Sequence, residues 1–518
     1  MHRAAWLSLV VTSILVGIVI ANEVSTRPTQ GLHENVPSTH ALINARLVLE
    51  PGRVIESGAL VVRDHVIVAA GENVQVPADA RIWDLNGKSI YPGLIDAYSE
   101  IDVDANENNQ GIGHWNNNIQ AQRSAAVAYK ADAGLHQQLR SSGFTARLVA
   151  PSGGIIKGVS SLVSTTDQGG DRAVLVERVG MHGKLTVPRS GGRDRYPNSP
   201  MGAVALLRQT LYDTQWYRDA WRVFQNQAGV PKPETNVALQ ALLPFVDGEQ
   251  PFFLEAPDEQ YFLRADAIGK EFGLKLVVLG SGEEYRRLDD VMKAHRPIIL
   301  PLKFPKAPDV ATVESARDVT LEELMHWDHA PENPARLREA GVVIALTTRG
   351  LDKKAEFLPA LRKAVERGYD PNDALAAMTT VPAELFGASD KIGSLAAGKL
   401  AHFFVTDRDL FAKESQIVET WVAGERFVIK PAASRDLRGR WHVSLGKHEQ
   451  QWEITGKASS PGIKWSVKPD EDEAPEESKD EESKDEESKD EESKDEESKD
   501  EESKDEESKD EESKDEES

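Results

Sequence analysis

The residue types with the clearest chemical potential lie late in the chain, in His326-Trp327-Asp328-His329. Two histidines three apart share one face of a helix, and with the aspartate between them they have the make-up of a metal-ligand pair. Trp327 and Pro331 place the stretch at a loop or helix end, which favours a surface or capping role. A second candidate is the glycine-rich run GGIIKGVSSLV, Gly153 to Val163. It lacks the spacing of either nucleotide fingerprint, so close backbone packing or a substrate-facing loop is expected rather than phosphate binding. No G-x-S-x-G elbow is present, and serine-hydrolase chemistry has no support. The absence of cysteine removes thiolate nucleophiles, zinc-thiolate centres, disulfides and an acylated lipobox cysteine.

These groups need elements to position them, and the pattern of apolar runs supplies two kinds. From Ala41 to Asp84 short apolar runs are punctuated by turn residues: ALINARLVL, GALVVRDHVIVAAG and ARIWDL. They read as antiparallel strands. Similar strands return far downstream as KLAHFFVTD and IVETWVAGERFVI, which suggests one small β-sandwich built from both ends of the chain. Between them, eight strand-like runs alternate with helical stretches: SIYPGLIDAY, FTARLVA, VSSLVSTT, RAVLVERVG, PFFLEA, LKLVVLG, RPIILP and GVVIALTT. The helical stretches include MGAVALLRQTLYDTQWYRDAW, EQYFLRADAIGKEFG and FLPALRKAVERG, each with apolar residues three to four apart. Such alternation fits an α/β chain carrying a (β/α)₈ TIM-type barrel, whose reactive groups sit at the carboxyl ends of the strands. A doubly wound open sheet has the same local pattern.

The ends of the chain are different in kind. Arg3, an apolar run from Trp6 to Ile20 and the small residue Ala21 read as a secretory signal at 1–21. The run is shorter than the roughly 20 residues that span a bilayer, so an uncleaved anchor is the weaker alternative. The mature protein is expected to be exported, periplasmic or secreted, with no membrane attachment after cleavage and a polar linker over 22–40. The formal charge of -24 is a property of the other terminus. Eight copies of Glu-Glu-Ser-Lys-Asp at 476–515, with Glu516, Glu517 and the four acids Asp470 to Glu473, account for -22 of it. The body is near neutral, and no basic stripe points to nucleic acid. Residues 470–518 lack the apolar side chains a core requires and are expected to be a disordered acidic tail. Before it, 431–469 reads as a short β segment with Trp441, Trp452 and Trp465 as expected buried anchors.

Two motifs carry a family resemblance. GKSIYPGLIDAYSE, Gly87 to Glu100, resembles the first barrel strand of the amidohydrolase superfamily, especially its imidazolonepropionase-like branch, where active members read PGLIDxHxH. TTVPAELFGASDKIGSLAAGKLAHFFVTD, Thr379 to Asp407, resembles the closing stretch of the family, with His402 where aspartate is usual. The resemblance implies a barrel at 91–391 inserted in a composite sandwich at 41–90 and 392–430. It also implies metal-dependent hydrolysis of non-peptide C–N bonds in amides or cyclic amides, using zinc or another divalent ion held by histidines.

At the implied ligand stations the histidines are missing. The first strand has Tyr98 and Glu100, the fifth Glu255, the sixth Ser281 and the eighth, where an aspartate would stand, Thr348 followed by Arg349. The strand-four ligand has Glu177 as its nearest candidate. A narrower resemblance, carried by Tyr196 to Tyr217, His326 to Leu337 and VVIALTTRGL, is to the ligand-lacking first half of tandem secreted amidohydrolase-like proteins; here the acidic repeat stands in place of a second barrel. The expectation is a degenerate barrel acting as a binding or scaffold protein with no cofactor. Its partner would be a second copy, a separately encoded active barrel or an unknown small molecule. Glu100 and Glu255 are expected to face Arg349, which would supply the charge once given by metal; the alternative is a repurposed hydrolase in which these carboxylates hold a hard cation.

Overall fold

A computed structural model describes residues 38–103, 111–169, 173–187, 196–431, 437–445, 448–457 and 460–467. The expected signal, most of the linker and the repeat tail lie outside the described residues. The chain divides into two units, one ending at Ala432 and the other beginning at Ala433. Among the described residues no helix is long and apolar enough to cross a membrane.

The first unit opens with strands β1 (Thr39–Glu50), β2 (Arg53–Arg63) and β3 (Val66–Gly71), joined as an antiparallel meander. β4 (Arg81–Asp84) and β5 (Ser89–Pro92) then pair parallel to β1. After β5 the chain passes through Gly93 into the barrel. A Cβ at Gly93 would stand 2.1 Å from Thr145 Oγ1, so only glycine allows so close an approach there.

The barrel begins with β6 (Leu94–Ile101) and its parallel neighbour β7 (Phe144–Pro151). The chain next doubles back as β8 (Ile156–Val159) and β9 (Ser161–Ser164), two halves of one strand bent at Ser160; β10 (Val174–Val176) is an edge strand on β9. β9 pairs antiparallel with β7, and β8 antiparallel with β11 (Met181–Lys184). From β11 the order is parallel through β12 (Phe252–Glu255), β13 (Leu276–Leu279), β14 (Ile298–Pro301) and β15 (Ile344–Thr347). Helices Pro200–Asn226, Glu259–Phe272 and Phe357–Glu366 coincide with the three expected helical stretches. Their caps are local: the side chains of Ser199 and Asp258 accept from backbone amides of the first turn, removing otherwise unpaired donors.

Two details depart from the expected pattern. RAVLVERVG supplies only the edge strand β10, and the fourth strand of the ring is Met181–Lys184 just after it. The third strand runs antiparallel to its neighbours, because the connection between β7 and β8 is a hairpin too short to carry a crossover helix. Among the described residues the ladder forms one arc of four strands and another of six. The arcs are continuous in chain at Ser160 and face each other where β15 meets β6. At that seam backbone bonds go to a third segment: Ile95 N–H donates to Met378 O at 2.8 Å and Leu346 N–H to Ala377 O at 2.9 Å.

β16 (Phe403–Thr406), β17 (Ile417–Val422) and β18 (Glu425–Val428) return to the sheet through antiparallel pairing of β16 with β5. The result is one continuous eight-stranded sheet from both ends of the chain, curled around Leu47, Leu60, Ile90, Phe403 and Trp421. The second unit is a meander of β19 (Gly439–Leu445), β20 (His448–Lys457) and β21 (Ser460–Val467), with Trp441, Trp452 and Trp465 in cross-strand register. Trp441 is 45% exposed, so it is no buried anchor; a three-stranded meander has one layer and leaves its faces open.

Candidate functional site

Tyr98 and Glu100 lie two apart on β6 and therefore on one face of it, and Glu255 ends β12 at the carboxyl rim. The Tyr98 hydroxyl donates to Glu100 Oε1 at 2.6 Å and reaches Glu255 Oε1 at 3.2 Å. Between the two carboxylates stands Lys157, carried in by the reversed strand β8. Its Nζ donates to Glu100 Oε1 at 2.5 Å, to Glu255 Oε1 and to the Tyr98 hydroxyl at 3.2 Å. The lysine side chain is 2% exposed. From the other side Arg349, two residues past β15, donates through Nη2 to Glu255 Oε2 at 2.8 Å and lies over the Tyr98 ring. His182 of β11 completes the floor, stacked on Phe253 with centroids 4.5 Å apart.

The charges set the protonation states. Burial alone would raise the Glu255 carboxyl, but Lys157 and Arg349 outweigh it and hold the group down to about 2. Burial and the adjacent Glu255 and Glu100 push the Tyr98 phenol well above its ordinary range, so it remains a donor. His182 is lowered to about 3 by complete burial and the nearby Lys157, and is neutral at ordinary pH. Among the described residues its buried Nε2 has no hydrogen-bond partner.

The remaining stations serve as fasteners. Thr348 Oγ1 donates to Asp96 Oδ2 at 2.6 Å, while Thr347 Oγ1 and Thr348 N–H donate to Asp96 Oδ1 at 2.7 and 3.0 Å. Asp96 thus ties β6 to the end of β15. Ser281 does not reach the carboxylate cluster through a hydrogen bond; its N–H donates to Glu284 Oε1 at 2.7 Å. Glu284 is buried and also accepts from Gly282 N–H and Asn333, pinning the loop after β13.

The histidine pair lies in the last turn of helix Leu321–His329, where imidazole suits the negative end of the helix dipole. His326 Nδ1 is 2.9 Å from the Tyr285 hydroxyl. Asp328, His329 and Glu332 offer ligand atoms close enough to share an ion, but Arg336 bonds to His329 and Glu332, and Arg367 to Asp328. The cluster is already neutralised from within. In the glycine-rich run, a Cβ at Gly158 would stand 2.6 Å from Arg123 O, which is close backbone packing. Glu177 is exposed beyond β10, and the strand-four side chain at the mouth is His182. Sequence reasoning missed Lys157, His182 and Asp96. The available signal for Lys157 was a lone cation inside an apolar strand, in a run inspected only for its glycines.

The Amidohydrolase family model matches residues 347–428, which covers Thr347, Thr348 and Arg349 and continues through β18. An imidazolonepropionase from Symbiobacterium thermophilum is 24% identical over 395 residues, spanning 68% of this chain and 84% of that protein. The crystal structure of an amidohydrolase from Thermotoga maritima MSB8 superposes with a TM-score of 0.60 at 21% identity, covering 75% of this chain and 99% of that one. With a strand ring set in a sheet from both chain ends and Tyr98, Glu100, Glu255 and Thr348 at its carboxyl rim, the chain has the fold of the amidohydrolases and is similar in sequence to an imidazolonepropionase.

Proposed function

We propose that this protein is an amidohydrolase-fold binding protein in which an internal ammonium replaces the family's metal. The observation that carries this reading is Lys157 Nζ lodged between Glu100 and Glu255. A divalent ion needs the lone pairs of its ligands free and turned towards it. Here those lone pairs are given to the ammonium, to the Tyr98 hydroxyl and to Arg349. The residues present therefore do not suit the ion, and no hydrolytic step is routed through one. Among the described residues, the group of three able to share an ion is the Asp328 cluster, which lies apart from the Lys157 network.

A buried charge pair is costly unless every partner is satisfied. Lys157, the most deeply buried charge of the network, has both carboxylates and the Tyr98 hydroxyl as partners, which favours a fixed, pre-organised mouth over a decayed one. The protein acts outside the cytoplasm, exported through residues 1–21, and presents the mouth to a ligand. The repurposed-hydrolase alternative requires Lys157 to leave its carboxylates, and no observation favours that. The test is metal analysis of the purified full chain after growth with zinc and manganese. Metal far below one equivalent is expected; one equivalent that is lost on Glu255→Gln overturns the proposal.

A further inference from the structure

Next to the ammonium network the mouth opens into a cavity of 440 Å³, within the range of small-molecule sites. Its lining carries two cations, Arg349 and Lys303, and two carboxylates, Glu255 and Glu283. Glu255 is fully engaged by Lys157 and Arg349. Glu283, on the rim, is held 3.4 Å from Arg286 and 4.0 Å from His326. Among the described residues no hydrogen bond or ion pair engages the Lys303 ammonium, and Arg349 is bonded to a carboxylate only through Nη2.

The placement of Lys303 is built into the loop after β15. Gly350 has φ of +80°, and a Cβ there would come within 3.2 Å of Lys303 Cδ. Glycine both permits that backbone and leaves the trough in which the lysine stem lies beside Arg349. The facing walls are apolar: Pro301, Phe304 and Pro305 line the same cavity.

We infer that this cavity binds a small organic carboxylate, its anionic end between Arg349 and Lys303 and its apolar body against Phe304 and the two prolines. A guanidinium with its outer edge open suits a planar carboxylate, and the walls offer contact area to a hydrocarbon or aromatic body. This inference rests on the proposed binding role and names the class of ligand.

The experiment is calorimetric titration of the full chain, in the presence of chelator, with hippurate, its neutral amide and inorganic phosphate. Hippurate is expected to bind saturably, the amide about tenfold more weakly or worse, and Lys303→Met to weaken hippurate by about tenfold. Lys303 is exposed, so its replacement leaves the fold intact. Lys306→Met, an exposed lysine that does not line the cavity, is expected to change nothing. The inference is overturned by any of four results: no saturable hippurate binding at millimolar concentration, equal binding of the amide, undiminished binding by Lys303→Met, or phosphate binding as tight as hippurate. Metal content measured on the same preparation before chelator is added separates the two readings. A bound metal with intact hippurate binding overturns the ammonium proposal alone, and a metal-free protein that ignores hippurate overturns this inference alone.

Discussion

Lys157 sits where removal of one charge should have two separable effects. With Lys157→Met, Glu100 and Glu255 are left facing each other across Tyr98, with Arg349 the one remaining cation on Glu255. Breaking a buried pair in this way costs about 3–5 kcal/mol. The same change frees two carboxylates for a hard cation. Denaturant titration is therefore expected to show a large loss for Lys157→Met that millimolar Mg²⁺ or Mn²⁺ partly restores, with no metal effect on the parent. A loss that metal does not restore would mean that the two carboxylates cannot converge on an ion. At this scale the family resemblance was informative: it implied Tyr98, Glu100, Glu255, Ser281, Thr348 and Arg349, and the structure brings Tyr98, Glu100, Glu255 and Arg349 into one bonded network while Ser281 and Thr348 bond elsewhere. Lys157 and Asp96 were not legible for a physical reason. Lys157 reaches the mouth because a hairpin reverses its strand, and Asp96 finds its partners some 250 positions away; neither fact is encoded in local pattern.

The element that most needs such a partner is the seam between β15 and β6. No strand ladder joins the pair among the described residues, and Asp96 with the Ala377 and Met378 carbonyls takes over its work. Asp96→Ala would leave the Thr348 hydroxyl and amide without their acceptor, while the Thr347 hydroxyl keeps Tyr98 O at 2.9 Å, at about 2 kcal/mol or more in total. Faster hydrogen exchange at the Thr348 amide should accompany that loss, whereas Asp96→Asn keeps an acceptor and should recover part of both. Exchange unchanged at Thr348 would show that the seam is held elsewhere. Element types were largely readable, since β-branched and aromatic runs and three-to-four apolar spacing are local signals. The errors have a common origin. A period of two is the same for parallel and antiparallel strands, so the reversal of β8 and β9 could not be read. Met-His-Gly-Lys, the fourth ring strand, looks like a loop because three of its four residues are polar or glycine; it is a strand because β8 and β12 pair with it on either side.

Among the described residues burial lowers His40, His114, His136, His182 and His402, and the two with the largest shifts, His182 and His402, couple folding to pH most strongly. His182 lies inside the mouth. His402 lies where the sheet meets the barrel, its carbonyl accepting from Gly93 N–H at 2.9 Å and its buried ring beside the Thr145 backbone. Burial lowers His402 from 6.5 to about 4, and burial with Lys157 lowers His182 from 6.5 to about 3. In the unfolded chain both take a proton near pH 6.5, while the folded protein resists until the lower values. The unfolded state therefore binds more protons between these limits, and stability falls as pH falls through that window. Each histidine contributes at most about 1.4 kcal/mol per pH unit, so these two together lose about 3–4 kcal/mol between pH 6.5 and 5. Glu255, with an ordinary value of 4.5 and a folded value of about 2, adds a further loss only below pH 4.5. Urea titrations of the full chain at pH 7, 6 and 5 should show the decline beginning near 6.5. His182→Phe, which keeps a ring against Phe253, should remove about half of the share that His182 and His402 supply. A parent protein equally stable at pH 7 and 5 would mean that both imidazoles are solvated when folded, contrary to their burial.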